Sequence, residues 1–254
     1  MLWIIILLPF ILSTLLTWQL TKPSSRFYVL DKPNERSLHA SPVPRSGGLA
    51  ILIAIVVSVA IVSLFYPLHD LAAITTSVFI VAVVSFLDDR YSIAPGYRLV
   101  AHALAAAAIL YGGFYLQKLE VLGVSWQWSY AMGAVVSVLY TVWMINLYNF
   151  MDGMDGFAGG MAVSGFAVFA VLGWIAGHDA FFIISLIIAA SSAGFLVFNF
   201  PPARIFMGDI GSSTLGLLVA AFSLWGARSG EIAPCPPHPD PCIFLFAVVV
   251  VVEL

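Results

Sequence analysis

Residues Tyr130–Ala176 read YAMGAVVSVLYTVWMINLYNFMDGMDGFAGGMAVSGFAVFAVLGWIA, two apolar runs joined by one short turn of Asn, Asp and Gly. Each run, Tyr130–Tyr148 and Gly159–Ala176, approaches the roughly 20 residues that cross a bilayer as a helix. Only helices and closed barrels satisfy their backbone in lipid, and a continuous apolar run, unlike an alternating one, selects the helix. The composition of all 254 residues agrees, with 61% hydrophobic, 9% charged and a mean hydropathy of +1.03. So few charges cannot solvate the surface of a soluble domain.

Working outward, comparable runs lie at Met1–Leu20, Gly47–Tyr66, Leu71–Leu87, Leu99–Leu116, Ala180–Phe198 and Ser213–Ala227, and a last one begins near Ile243 and is incomplete at Leu254. The expected fold is all-α, a polytopic transmembrane helix bundle of about nine spans, forming a single integral membrane domain over 1–254. The sequence holds no internal repeat, no soluble domain and no nucleic-acid patch. The first run has no basic residue before it and no small-residue cleavage site, so it reads as a span and not as a removed signal peptide. Lys22, Arg26, Lys32, Arg36, Arg45, Arg90, Arg98 and Arg204 fall in odd-numbered loops, and only Lys118 and Arg228 in even ones. The positive-inside rule therefore places the odd loops in the cytoplasm and the N-terminus outside.

The same face collects the acidic and amide clusters. VSFLDDRYSI (Val84–Ile93) closes the third span with Asp88 and Asp89, two carboxylates at the negative end of a helix dipole, which require a cation nearby. Arg90 is the adjacent candidate; the alternative is a metal ion, with one carboxylate acting as a base. NLYNFMDGMDGFAGG (Asn146–Gly160) sets Asn146 and Asn149 three apart, on one helical face, and repeats that spacing with Asp152 and Asp155 across a glycine turn. Four oxygen-bearing groups converge there, a set suited to Mg²⁺, which takes oxygen ligands and keeps water and phosphate oxygens in its shell. The N-terminus of the following span offers backbone N–H groups to a phosphate. In FNFPPARIFMGDIGSS (Phe198–Ser213) the prolines stop one helix, Asp209 sits between two glycines, and Ser212 or Ser213 is placed to cap the next. An Asp near a helix N-terminus also stabilises it without any metal. In the first cytoplasmic loop, Arg45 is the best placed of Lys32, Arg36, His39 and Arg45 to hold a diphosphate or lipid phosphate, since it abuts the second span.

LDD, NLYNFMDGMDG and FNFPPARIFMGDIGSS, preceded by HASPVPRSGG, resemble the motifs of the polyprenyl-phosphate N-acetylaminosugar-1-phosphate transferases, closest to the bacterial enzymes that initiate O-antigen or related surface-polysaccharide synthesis. The resemblance covers Asp31 to Leu218. It implies transfer of a sugar 1-phosphate from a UDP-N-acetylhexosamine to undecaprenyl phosphate in the bacterial inner membrane, with Mg²⁺ or Mn²⁺ and release of UMP. Asp209 then matches the metal-binding aspartate, Asn149 and Asp152 fall beside metal or phosphate, and Asp88 matches the first aspartate of the pair, a candidate base on the lipid phosphate. Asp89 and Asp152 join it as catalytic candidates. Asn146, Asn199 and Phe206 correspond to positions contacting the nucleotide sugar, with Phe206 stacking on uracil; Arg45 and Asp155 complete the substrate-binding set. A homodimer is a candidate assembly.

Family members that use a peptide-bearing muramic donor, the phospho-N-acetylmuramoyl-pentapeptide transferases, tend to carry lysines where this chain has His39 and Arg45, which favours the surface-glycan reaction. The family also continues through further spans and a basic, His-rich loop, so the chain reads as truncated or a fragment. The competing classes are a catalytically inactive truncated scaffold and an ion-coupled transporter, whose carboxylates would sit near the bilayer midplane instead of at span ends. His102 reads as a packed, hydrogen-bonded core histidine, and Lys118–Trp128 as a small outer hairpin with an aromatic belt. Cys235 and Cys242 lie in a Pro-rich outer loop that permits a disulfide or two free thiols.

Overall fold

A computed structural model describes residues 2–31, 42–66, 71–121 and 124–229. Within them lie eight α-helices: α1 Leu2–Leu20, α2 Gly47–Val62, α3 Ala72–Tyr91, α4 Pro95–Tyr111, α5 Tyr130–Met151, α6 Phe157–Ile175, α7 Asp179–Asn199 and α8 Asp209–Ser229. These match the eight complete spans read from sequence, and six of them are long and apolar enough to cross a membrane. The chain is an all-α, multi-pass membrane protein. Two short antiparallel ladders accompany the helices: β1 (Leu30–Asp31) with β2 (Val43–Pro44), and the hairpin of β3 (Lys118–Val121) with β4 (Val124–Gln127). The ninth span, Cys235, Cys242, Lys32, Arg36 and His39 lie outside the described residues.

Helix α8 is the axis of the bundle. Its spanning window is 94% buried, against 28% for α1 at the periphery, and α2, α3, α5 and α6 all pack on it. The close approaches need glycine. A Cβ on Gly48 would overlap the Gly211 backbone, and one on Gly216 would strike Met144 O and Tyr148 Cβ, so α2 and α5 meet α8 backbone to backbone. Toward the far end of α8 the gap is filled by rings: Phe181 lies 5.0 Å from Phe222 and 5.4 Å from Trp225, centroid to centroid. Gly48→Val is expected to force α2 away from α8 and to destabilise the fold by about 1–3 kcal/mol, seen as an earlier thermal unfolding transition of the detergent-solubilised protein.

Among the helix boundaries that differ from the sequence reading, two set the geometry of the carboxylates. Helix α3 runs to Tyr91, so Asp88 and Asp89 stand in its last turn, and Ser92 ends it in the left-handed conformation (φ 52°). Helix α8 starts at Asp209, four residues before the expected start at Ser213, so Ser212 and Ser213 are buried inside it and do not cap it. The cap comes from α3.

Candidate active site

The ends of α3 and α5, the α5–α6 turn, the segment before α2, and the α7–α8 loop with the start of α8 line a cleft of about 740 Å³, within the range of small-molecule sites. Arg45, Asp89, Asn149, Asp152, Asn199, Phe206 and Asp209 all line it. Seven of the ten residues singled out from sequence therefore meet at one cleft, although they come from five separate stretches of chain.

The three others stand apart from it. Asp88 lies behind Asp209: its Oδ1 accepts from the Ile93 backbone N–H at 2.7 Å and its Oδ2 pairs with Arg98 Nη1 at 2.8 Å. Asp155 is exposed and accepts from the Ala203 N–H at 2.9 Å. Asn146 does not share a ligand set with Asn149. One turn further into the span, its Nδ2 donates to Val142 O at 2.7 Å and lies 3.4 Å from Nδ1 of the buried His102. Three residues is 300° of helix rotation, close enough to neighbour Asn149 along α5 but not to reach the cleft beyond its end.

Asn199 lines the cleft with its amide held at both ends, accepting from Gly156 N–H at 3.0 Å and donating to Ile205 O at 2.9 Å. Together with Asp155 it latches the α5–α6 turn to the α7–α8 loop. Asn199→Leu leaves two buried backbone groups without partners, which should cost about 2–5 kcal/mol and lower the thermal midpoint even in the absence of any ligand.

Arg90 is not the cation that the Asp88–Asp89 pair requires. Asp89 faces Arg45, whose Nε lies 3.9 Å from Oδ1 and whose Nη2 donates to the Asp89 backbone carbonyl. Asp88 faces Arg98, a residue the sequence reading treated only as an orientation charge. Arg98 also lies 3.6 Å from Asp209 Oδ2. In the amide orientation that satisfies its neighbours, Asn149 accepts from Arg98 Nη2 at 2.9 Å and donates to Asp209 Oδ1 and Ser212 Oγ, each at 3.0 Å. A signal for Arg98 was present. With Pro95 as the first residue of α4, an Arg in the opening turn sits at the positive end of the dipole and calls for anionic partners.

Four carboxylates (Asp88, Asp89, Asp152, Asp209) thus face two guanidiniums (Arg45, Arg98). The surplus is felt at Asp152, half-buried beyond the end of α5: desolvation, then the charges of Asp209 and Asp89, push its carboxyl well above the usual range, against a hydrogen bond from the Gly208 N–H. No three carboxylate, His or Cys side chains among the described residues converge tightly enough to enclose an ion. The fit is to a cation that needs less: the cleft offers oxygen donors, an unbalanced negative charge and room for a diphosphate, and Mg²⁺ commonly takes one or two carboxylates with substrate phosphates and water.

The profile of glycosyl transferase family 4 matches residues 71–227, which run from the start of α3 through α8. The chain is 34% identical over 226 residues to the probable undecaprenyl-phosphate N-acetylglucosaminyl 1-phosphate transferase of Bacillus subtilis (strain 168), covering 87% of this chain and 63% of that protein. It is 27% identical to the undecaprenyl-phosphate alpha-N-acetylglucosaminyl 1-phosphate transferase of Escherichia coli O157:H7 (90% and 63% covered). To the decaprenyl-phosphate N-acetylglucosaminephosphotransferase of Mycobacterium leprae it is 28% identical (80% and 56% covered). The chain thus spans somewhat under two thirds of the length of these relatives. With the profile matching more than half of its residues, the chain belongs to glycosyl transferase family 4.

Proposed function

We propose that this cleft binds a UDP-N-acetylhexosamine, UDP-N-acetylglucosamine first among them, and passes its sugar 1-phosphate to undecaprenyl phosphate with Mg²⁺ or Mn²⁺ bound. The observation that carries the reading is the meeting of Asn149, Asp152 and Asp209 at one face of the bundle, beside Arg98 and Arg45, in a chain whose relatives are named for that transfer. An oxygen of the lipid phosphate attacks the sugar-bearing phosphorus of the diphosphate; that P–O bond forms as the bond to UMP breaks. Bound at Asp209 and Asp152 with Asn149 beside them, the divalent cation would supply neutralisation of the diphosphate and of the leaving UMP.

This chain's residues do the rest. Arg98 holds Asp209 and Asn149 in register, and Arg45 offers a fork to phosphate oxygens at the mouth of the cleft. Phe206 provides an apolar wall on which uracil can stack. A phosphate monoester has its second pKa near 6 and is largely ionised at neutral pH, so no strong base is required. Asp88, already engaged by Arg98 and the Ile93 N–H, orients and does not abstract a proton.

The carboxylates stand in the first or last turns of helices or just beyond them, which supports a membrane-surface transferase over an ion-coupled transporter. The basic loops favour the cytoplasmic side of the bacterial inner membrane, and the product would serve O-antigen or related surface-glycan synthesis. The test uses membranes carrying the full-length protein, labelled UDP-N-acetylglucosamine, undecaprenyl phosphate and Mg²⁺. A labelled lipid diphosphate with one UMP per product is expected, and none from a UDP-muramoyl-pentapeptide donor. Absence of lipid product, or equal use of the muramoyl donor, would contradict the reading.

A further inference from the structure

Two successive backbone N–H groups open α8, and both are taken by one carboxylate of another helix. The Asp209 N–H donates to Asp89 Oδ1 and the Ile210 N–H to Asp89 Oδ2, each at 3.0 Å. Such a run of N–H groups forms an anion-binding concavity at the positive end of the helix dipole. Gly208 makes the approach possible. Its φ is +75°, and a Cβ there would lie 3.1 and 3.2 Å from the two Asp89 oxygens and overlap Arg45 O. Asp89 is itself buried and held from behind, because Arg45 Nη2 donates to its backbone carbonyl and Arg45 N donates to Val29 O at 2.8 Å.

We infer that Asp89 is a positioning residue: its carboxylate fixes the first turn of α8, and so sets where the Asp209 carboxylate points, without acting as base or ion ligand. Both of its oxygens already accept from the backbone, whereas Asp209 turns its own oxygens toward Arg98 and Asn149. The adjacent pair thus divides its work. Asp88 reaches the Arg98 cluster directly, and Asp89 reaches it only through the α8 backbone. The inference rests on the proposed divalent-ion site in its consequence for metal binding, but its structural half can be read without any metal.

The test compares Asp89→Glu, which keeps the charge and misplaces the acceptor, with Asp89→Asn and Asp88→Asn in the purified full-length protein. Amide hydrogen exchange of residues 208–212 should quicken at least about tenfold in both Asp89 variants, as an uncapped helix end frays, and stay at the wild-type rate in Asp88→Asn. Mn²⁺ alone, titrated by electron paramagnetic resonance, should still bind one ion in Asp89→Glu but about 10–100-fold more weakly, and saturating Mn²⁺ should restore most turnover. Unchanged exchange in both Asp89 variants overturns the inference. So does Asp89→Glu with wild-type Mn²⁺ affinity, or with no turnover at any Mn²⁺ concentration. If the wild-type protein binds no Mn²⁺, the metal-site reading falls, and the exchange result alone decides the capping role. Should Asp89→Asn fail to fold, Asp89→Glu alone carries the comparison.

Discussion

Asp209→Asn should reduce sugar-phosphate transfer by about 10³-fold or more, equivalent to roughly 4 kcal/mol of transition-state stabilisation. The change is nearly isosteric and leaves the backbone N–H of residue 209 free to meet Asp89 as before. What it removes is one charge from the group that faces both Arg98 and Asn149. Two effects then add. A divalent cation loses an anionic ligand, and Arg98 loses one of the two carboxylates that balance it. Raising Mg²⁺ recovers only a minor part of the rate if both effects operate. The check is initial-rate transfer by membranes matched for protein content, across a wide range of Mg²⁺. Near-normal turnover would remove Asp209 from the chemistry.

Arg98→Met should be almost as damaging, with transfer falling about 10²–10³-fold, because the guanidinium touches Asp88, Asn149 and Asp209 at once. Without it, Asp88 and Asp209 are left facing each other with no guanidinium between them. Arg98→Lys restores charge but not the fork, since an ammonium is a point donor on a flexible stem. Partial rescue, on the order of a tenth of wild-type rate, is the expected result for Lys. Equal activity of the Lys and Met variants would mean that charge at this position is irrelevant.

Much of this molecule is legible from its sequence because lipid is a demanding solvent. A run such as Tyr130–Tyr148 can satisfy its backbone only as a helix, and α5 extends just past it, to Met151. The same logic located the cleft, since Asp and Asn in an apolar chain are affordable only at span ends or at a site. Sequence spacing was a poorer guide to which side chains meet. Asn146 and Asn149 share the (i, i+3) relation, yet one faces His102 within the span while the other meets Ser212 and Asp209 beyond it. The end of the helix falls between their reaches.

What the sequence did not disclose were contacts between helices. That Asp89 caps α8 across 120 residues of chain, or that Arg98 is the partner of Asp88, depends on how α3 packs on α8 and α4 on α3, just as the Gly48–Gly211 and Gly216–Met144 approaches bring α2 and α5 onto α8. A glycine in an apolar run signals that something comes close; it does not say what. Likewise Ser212 and Ser213 had the composition of a cap, but the helix begins at Asp209, where Asp89 accepts from the 209 and 210 N–H groups, and both serines lie inside it.

Asp209, Asp152 and Asn149 are proposed to hold one divalent cation where the end of α5 meets the start of α8. Mn²⁺ binding to the purified full-length protein, followed by electron paramagnetic resonance in the wild type and in Asp209→Asn, tests it without relying on turnover. A single Mn²⁺ per chain whose spectrum changes on addition of UDP-N-acetylglucosamine, and whose affinity falls at least about tenfold in the variant, is the predicted result. An Mn²⁺ that binds the Asp209→Asn protein as tightly as the wild type, or that does not sense the nucleotide sugar, would contradict it.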